Sequence, residues 1–123
     1  MFIASPRGFK IKVFKRLENG ELDYFDTIDT GKGVDNLEFD TEGNVWSGAH
    51  PNLLAFTAYA QGGRPMAPSE IVKINYRKKG DYEVQTIMLD DGAKMSAASV
   101  AAPYRNLILA GNVMDDHFLV LKK

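Results

Sequence analysis

Asn36-Leu37-Glu38-Phe39-Asp40-Thr41-Glu42-Gly43-Asn44-Val45-Trp46-Ser47-Gly48 is the stretch on which the reading of this chain turns. Leu37, Phe39, Val45 and, less regularly, Trp46 supply apolar positions on either side of Asp40-Thr41-Glu42-Gly43-Asn44. The Asp40 carboxylate can accept hydrogen bonds from N–H groups of its own turn, and Gly43 can take a positive φ without steric penalty. The segment predicts a tight β-hairpin.

The same alphabet continues in both directions. Apolar, β-branched and aromatic runs of four to eight residues recur, separated by Gly, Asn, Asp and Pro. Strands are predicted near Phe2–Ala4, Lys10–Phe14, Leu22–Ile28, Asn36–Asp40, Asn44–Gly48 and Leu53–Tyr59. Others are predicted near Glu70–Tyr76, Tyr82–Leu89, Ala97–Ala101, Asn106–Ala110 and His117–Leu121. The Ala-rich run 97–102 is the one helix candidate; it is short and ends at Pro103, which favours a buried strand. The class is all-β.

Composition narrows the functions open to such a chain. Its 123 residues form one domain, 1–123, and the 45% hydrophobic content is spread along the whole length, enough for a core. No apolar run approaches the roughly 18 residues of a membrane span, and the N-terminus Met1-Phe2-Ile3-Ala4-Ser5-Pro6 does not read as a signal peptide. Fifteen basic residues face sixteen acidic ones, and the one basic cluster, Arg77-Lys78-Lys79, runs straight into Gly80 as a solvated turn. No nucleic-acid partner is expected. With no cysteine, thiol nucleophiles, disulfides and zinc–thiolate sites are excluded. His50 and His117 alone have unperturbed pKa values near neutrality.

A weak repeat runs through the strands. Met1-Phe2-Ile3-Ala4-Ser5, Val45-Trp46-Ser47-Gly48-Ala49 and Leu107-Ile108-Leu109-Ala110-Gly111 correspond, and each precedes another predicted strand, at Lys10–Phe14, Leu53–Tyr59 and His117–Leu121. The loop Gln61-Gly62-Gly63-Arg64-Pro65-Met66-Ala67-Pro68 accounts for much of the longer second interval. Strands at this spacing favour a β-propeller over a sandwich, with about two four-stranded antiparallel blades in this chain. Met1–Ser5 then corresponds to the second strand of a blade, and an isolated blade is not a stable unit. The remaining blades are expected either upstream or from further copies.

At Gly33-Val34-Asp35-Asn36-Leu37-Glu38-Phe39-Asp40 and Gly43-Asn44-Val45-Trp46-Ser47-Gly48-Ala49-His50-Pro51-Asn52 the chain resembles the paraoxonase/arylesterase family, within the gluconolactonase-like six-bladed propellers. The similarity continues through Ser69-Glu70-Ile71-Val72-Lys73-Ile74, Ser99-Val100-Ala101-Ala102-Pro103-Tyr104 and Leu107-Ile108-Leu109-Ala110-Gly111-Asn112-Val113. The resemblance implies the C-terminal third of a six-bladed propeller whose channel holds a structural and a catalytic calcium, and which hydrolyses aryl esters and lactones. It implies Asp35 and Asn36 as donors to the catalytic calcium. Both are hard oxygen ligands, yet calcium takes roughly six to eight oxygens, so the others must come from earlier blades. Read alone, Asp35-Asn36 equally starts a strand after Gly31-Lys32-Gly33.

The resemblance also places His50, Val113 and Met114 around the substrate, the last two as a hydrophobic wall. Read alone, His50 is a loop residue before Pro51-Asn52, and Met114 is core filler. The histidine pair proposed to activate water in the family lies outside this chain, so His50 is not assigned as general base and no catalytic residue is assigned. Two departures stand out. Val120 occupies a position where the animal enzymes have a disulfide cysteine, and Asp115-Asp116 puts acids at what reads as a solvent loop on the pocket rim. Asp90-Asp91-Gly92 reads as a turn, with metal binding the lesser alternative. The expected function is thus a fragment of a calcium-dependent hydrolase of small esters or lactones. The alternatives are a non-catalytic propeller scaffold and a two-blade unit that assembles into a ring.

Overall fold

Along Lys10-Ile11-Lys12-Val13 the lysines face outward and Ile11 and Val13 are buried, the period-two pattern that makes a half-buried strand. The computed structural model describes all 123 residues, Met1–Lys123, and the pattern resolves into ten strands and one α-helix. They are β1 (Phe2–Ser5), β2 (Lys10–Arg16), β3 (Leu22–Asp29), β4 (Gly33–Phe39), β5 (Val45–His50), α1 (Leu53–Ala60), β6 (Ser69–Lys78), β7 (Asp81–Asp90), β8 (Ala98–Tyr104), β9 (Leu107–Asn112) and β10 (Leu119–Lys122). A single 3-10 turn, Pro6–Gly8, joins β1 to β2. No helix is long and apolar enough to cross a membrane.

The strands form three antiparallel sheets in chain order: β1-β2-β3, then β4-β5-β6-β7, then a third in the order β10-β9-β8. The all-β reading holds. The division is three, four and three strands, where the sequence suggested about two four-stranded units. The three repeat segments fall on β1, β5 and β9; β5 and β9 are each the second strand of their sheet in chain order, whereas β1 is an edge strand paired with β2 alone.

The sheets stack face to face through two cores, and β5 feeds both. Val45 and Ala49 join Val34, Val72 and Ile74 against Ile11, Val13 and Ile28 of the first sheet. The alternate residue Trp46 joins Ile71 against Ala98, Ala101, Ile108 and Ala110 of the third. All six residues of β5 are buried, as expected of a strand covered on both faces. Each fully buried isoleucine (Ile11, Ile28, Ile71, Ile74) contributes roughly 1.5–3 kcal/mol relative to an exposed one.

The opening hairpin forms as read. Asp40 Oδ1 accepts from the N–H groups of Glu42 (3.0 Å) and Asn44 (2.8 Å), and Gly43 has φ 83°. Asp90-Asp91-Gly92 is likewise a turn, with Asp90 Oδ2 accepting from Gly92 and Lys94 N–H. Run 97–102 enters strand β8, not a helix.

Leu53–Tyr59 is not a strand. It lies in helix α1, capped by Asn52, whose side chain accepts from Ala55 N–H at 3.0 Å. Leu and Ala favour the helix, and only Ala55 and Tyr59, four apart on one face, are buried. The helix and the following loop therefore interrupt the middle sheet, and its third strand is β6. A second correction concerns Asp35 and Asn36. Strand β4 begins at Gly33, so the pair lies inside the strand and does not open it.

Candidate functional site

The side chains of Asp35 and Asn36 owe their position to an irregularity in pairing. Val34 faces Ala49 and Leu37 faces Ser47, so β4 spends one more residue than β5 across this interval. Such a β-bulge re-aims the side chains it carries. The third sheet has a matching one: Ala98 faces Asn112 and Val100 faces Gly111, which leaves Ser99 as the extra residue of β8.

Gly48 brings the two bulges together. A Cβ added there would stand 2.5 Å from the backbone N and C of Ser99 and from Val100 N, so only glycine permits β5 to lie this close to β8. Across the gap Asn36 Nδ2 donates to Ser99 O (3.3 Å) and Ser99 Oγ (3.1 Å). Asp35 N–H donates to Ser47 Oγ at 3.3 Å, and the Ser47 hydroxyl donates to Gly48 O.

This arrangement leaves hard oxygen donors free. The Asn36 amide is oriented through its nitrogen, so its Oδ1 is available, and the Asp35 carboxylate is engaged in no hydrogen bond or salt bridge. A carboxylate and an amide oxygen on adjacent residues suit a calcium ion, as two members of a larger set. No group of three or more His, Cys, Asp and Glu side chains converges anywhere in the chain.

His50 ends β5 opposite Gly33 and is 2% exposed. Its ring stacks on Phe56 of α1, with centroids 3.9 Å apart and planes 12° from parallel. Its Nδ1 is buried without a partner. Burial pulls the imidazole below its ordinary 6.5, while the charge of Asp35 opposes the shift. The ring is neutral at pH 7. In an NMR titration the His50 midpoint is expected below 6.5, and Phe56→Ala, which admits water to the ring, is expected to move it upward; an unmoved midpoint would mean that the stack does not set it.

Asp35 and His50 line one pocket of about 260 Å³, together with Pro6, Arg7, Leu53, Phe56 and Thr57. A larger cleft, about 670 Å³, lies by Asp40, Trp46, Lys73, Arg105 and Lys122. Its acids are already committed, Asp40 to Asn44 and Trp46 and Glu42 to Asn44, so the smaller pocket holds the available chemistry.

Val113 and Met114 are exposed in the β9–β10 connection and are not among the residues lining this pocket. The acids that follow them divide. Asp116 is solvent-exposed, whereas Asp115 accepts from the Tyr59 hydroxyl (2.5 Å) and from Ser96 N–H (2.7 Å), tying this loop to α1. That bond to Asp115 lifts Tyr59 to about 12. Arg7, Ser47, Phe56 and Ser99 were given no role from the sequence. The Asn52 cap pointed to α1, and so to Phe56; nothing local marks Arg7.

The arylesterase family model matches residues 1–119. Serum paraoxonase/arylesterase 1 of Homo sapiens is 28% identical over 114 residues, which is 92% of this chain and 32% of that protein. Serum paraoxonase/lactonase 3 of Mus musculus is 26% identical over the same shares. The chain spans about a third of the length of the curated relatives it matches. A match that runs through both bulges, the Gly48 contact and His50 leaves one conclusion: the chain belongs to the arylesterase family.

Proposed function

We propose that this chain is part of a calcium-dependent hydrolase of aryl esters and lactones, and that Asp35 and Asn36 donate to its catalytic calcium. The observation that carries this is the uncommitted Asp35 carboxylate, which shares a pocket with the buried His50 ring, followed on the same β4 bulge by the free amide oxygen of Asn36. Family membership supplies the reaction class. The three sheets are read as parts of consecutive propeller blades, the middle one complete, with the other calcium ligands on blades outside these 123 residues. The matching positions of β5 and β9, each the second strand of its sheet, support that reading, and β1 fits it if a first strand precedes it.

In this scheme the chemistry that calcium would supply, if held by Asp35, Asn36 and ligands of other blades, is polarisation of the ester carbonyl and stabilisation of the charge on its oxygen. Asp35 would hold the ion through its carboxylate and Asn36 through its amide oxygen, while the bond to Ser99 engages the Asn36 nitrogen and leaves that oxygen free. His50 forms a wall that brings no positive charge of its own at pH 7, held flat by Phe56. Leu53 and Phe56 keep water from one side of the pocket. Val113 and Met114 lie outside this pocket but are exposed on the loop that Asp115 ties to α1, and are read as apolar surface for a substrate larger than the pocket. Water adds across the acyl C–O bond, yielding a carboxylic acid and an alcohol or phenol.

Asp35→Ala, made in protein that carries the remaining blades, tests the proposal. Calcium affinity, read by titration calorimetry, is expected to fall by roughly 10–100-fold, and hydrolysis of a neutral aryl ester to fall with it. If affinity and rate both stay at the wild-type level, Asp35 is not a ligand. Calcium binding without hydrolysis in the wild-type protein would instead support a non-catalytic scaffold.

A further inference from the structure

Arg7 stands at the mouth of the pocket on a rigid mount. It is the second residue of the 3-10 turn Pro6–Gly8, where Pro6 fixes the first φ and Phe9 N–H donates back to Pro6 O at 3.3 Å. The turn rests on β4: the Pro6 carbonyl oxygen lies 3.3 Å from where a Cβ on Gly33 would be. The base of the arginine is thus fixed against the strand that carries Asp35.

Arg7 has nothing to do inside the chain. Arg77 is paired with Asp81 and Arg105 lies over Tyr104, but Arg7 is in no salt bridge, hydrogen bond or cation–π contact. It is the only lysine or arginine lining the pocket, among Pro6, Leu53, Phe56, Thr57, His50 and Asp35. A planar guanidinium presents its donors as a fork that matches a carboxylate with two parallel hydrogen bonds. Arg7 thereby places its positive charge in the pocket lining.

We infer that Arg7 gives this pocket a preference for substrates bearing a carboxylate, so that the favoured esters or lactones are anionic ones. This rests on the hydrolase reading above and deepens it. The acyl group and scissile bond lie toward Asp35 and His50, the apolar body of the substrate packs on Leu53 and Phe56, and the carboxylate reaches Arg7.

The test uses hydrolysis-resistant amides, so that recognition is read apart from turnover. Acetanilide and 4-acetamidobenzoate, the amide counterparts of phenyl acetate and 4-carboxyphenyl acetate, are titrated calorimetrically into calcium-loaded protein that carries the remaining blades. The carboxylated amide is expected to bind roughly tenfold more tightly. In Arg7→Gln that ratio is expected to fall to about one, with Arg7→Lys between the two. A ratio near one in the wild type, a ratio unchanged in Arg7→Gln, or no binding of either amide overturns the inference. So does a preference that survives Arg7→Gln and disappears with chelator, since the anion then sits on the metal. Hydrolysis of the two esters separates the readings. Turnover of both without an Arg7-dependent ratio sinks the anion preference and leaves the hydrolase. An Arg7-dependent amide ratio without turnover of either ester does the reverse.

Discussion

Gly48→Ala is expected to destabilise the protein by about 3 kcal/mol, at the upper end of what overpacking a core costs. The added methyl would lie 2.5 Å from three backbone atoms of Ser99 and Val100. Backbone in a paired strand cannot swing aside as the tip of a lysine can, so β8 must move away from β5. Trp46, Ile71, Ala98 and Ala101 pack across that same interface and lose contact as it opens. The damage should also be chemical. Asn36 Nδ2 reaches Ser99 only because the two bulges are pressed together, and separating the strands releases the amide that it holds. Calcium affinity is therefore expected to fall along with stability.

Gly43→Ala provides the contrast. Gly43 sits at φ 83° with nothing within 4 Å of an added Cβ, so its replacement meets conformational strain alone, about 1 kcal/mol. Urea denaturation of the two variants separates crowding from strain. Equal losses, or a Gly48→Ala protein as stable as the wild type, would mean that β5 and β8 do not approach as closely as the fold requires.

What the sequence made legible follows from the range of the interactions concerned. The Asp40–Asn44 turn was readable because its acceptor, donors and positive-φ glycine lie within five residues. Segment Leu53–Tyr59 was misread for a physical reason: Leu53-Leu54-Ala55-Phe56 is apolar on every side, and without polar punctuation a helix and a buried strand give the same pattern. The Asn52 cap is the one local signal that separates the two. Asp35 and Asn36 are proposed through resemblance, and the bulge that aims them is not visible in the sequence. A bulge is a property of two paired strands, and no single-strand pattern encodes it. Arg7, Phe56 and Asp35 come from three elements, and only the folded chain puts them on one pocket.

Asp40→Ala is expected to cost about 3 kcal/mol at pH 7, and the reason predicts how that cost depends on pH. Burial alone would raise the Asp40 pKa. Against it, the Trp46 indole N–H (2.9 Å), the Asn44 side-chain amide (2.8 Å) and the N–H groups of Asn44 and Glu42 all donate to the carboxylate. The donors win, and the group settles at about 2 rather than 3.8. A depressed acid stabilises the fold above its unfolded pKa and loses that contribution as pH falls toward the folded value. The window therefore runs from near pH 4 down to about 2. The shift corresponds to roughly 2 kcal/mol after allowance for partial exposure. The rest of the loss comes from Trp46, 3% exposed, whose indole N–H would be left buried without an acceptor. Trp46 is also the only tryptophan, so its fluorescence reports unfolding from beside the mutated site. Wild type and Asp40→Ala are to be compared in urea at pH 7 and again at pH 2. Titration of the other carboxylates largely cancels in the difference, and the gap between the two proteins should shrink to about 1 kcal/mol at the lower pH. A gap of the same size at both would place the contribution of Asp40 in the shape of its side chain and not in its charge.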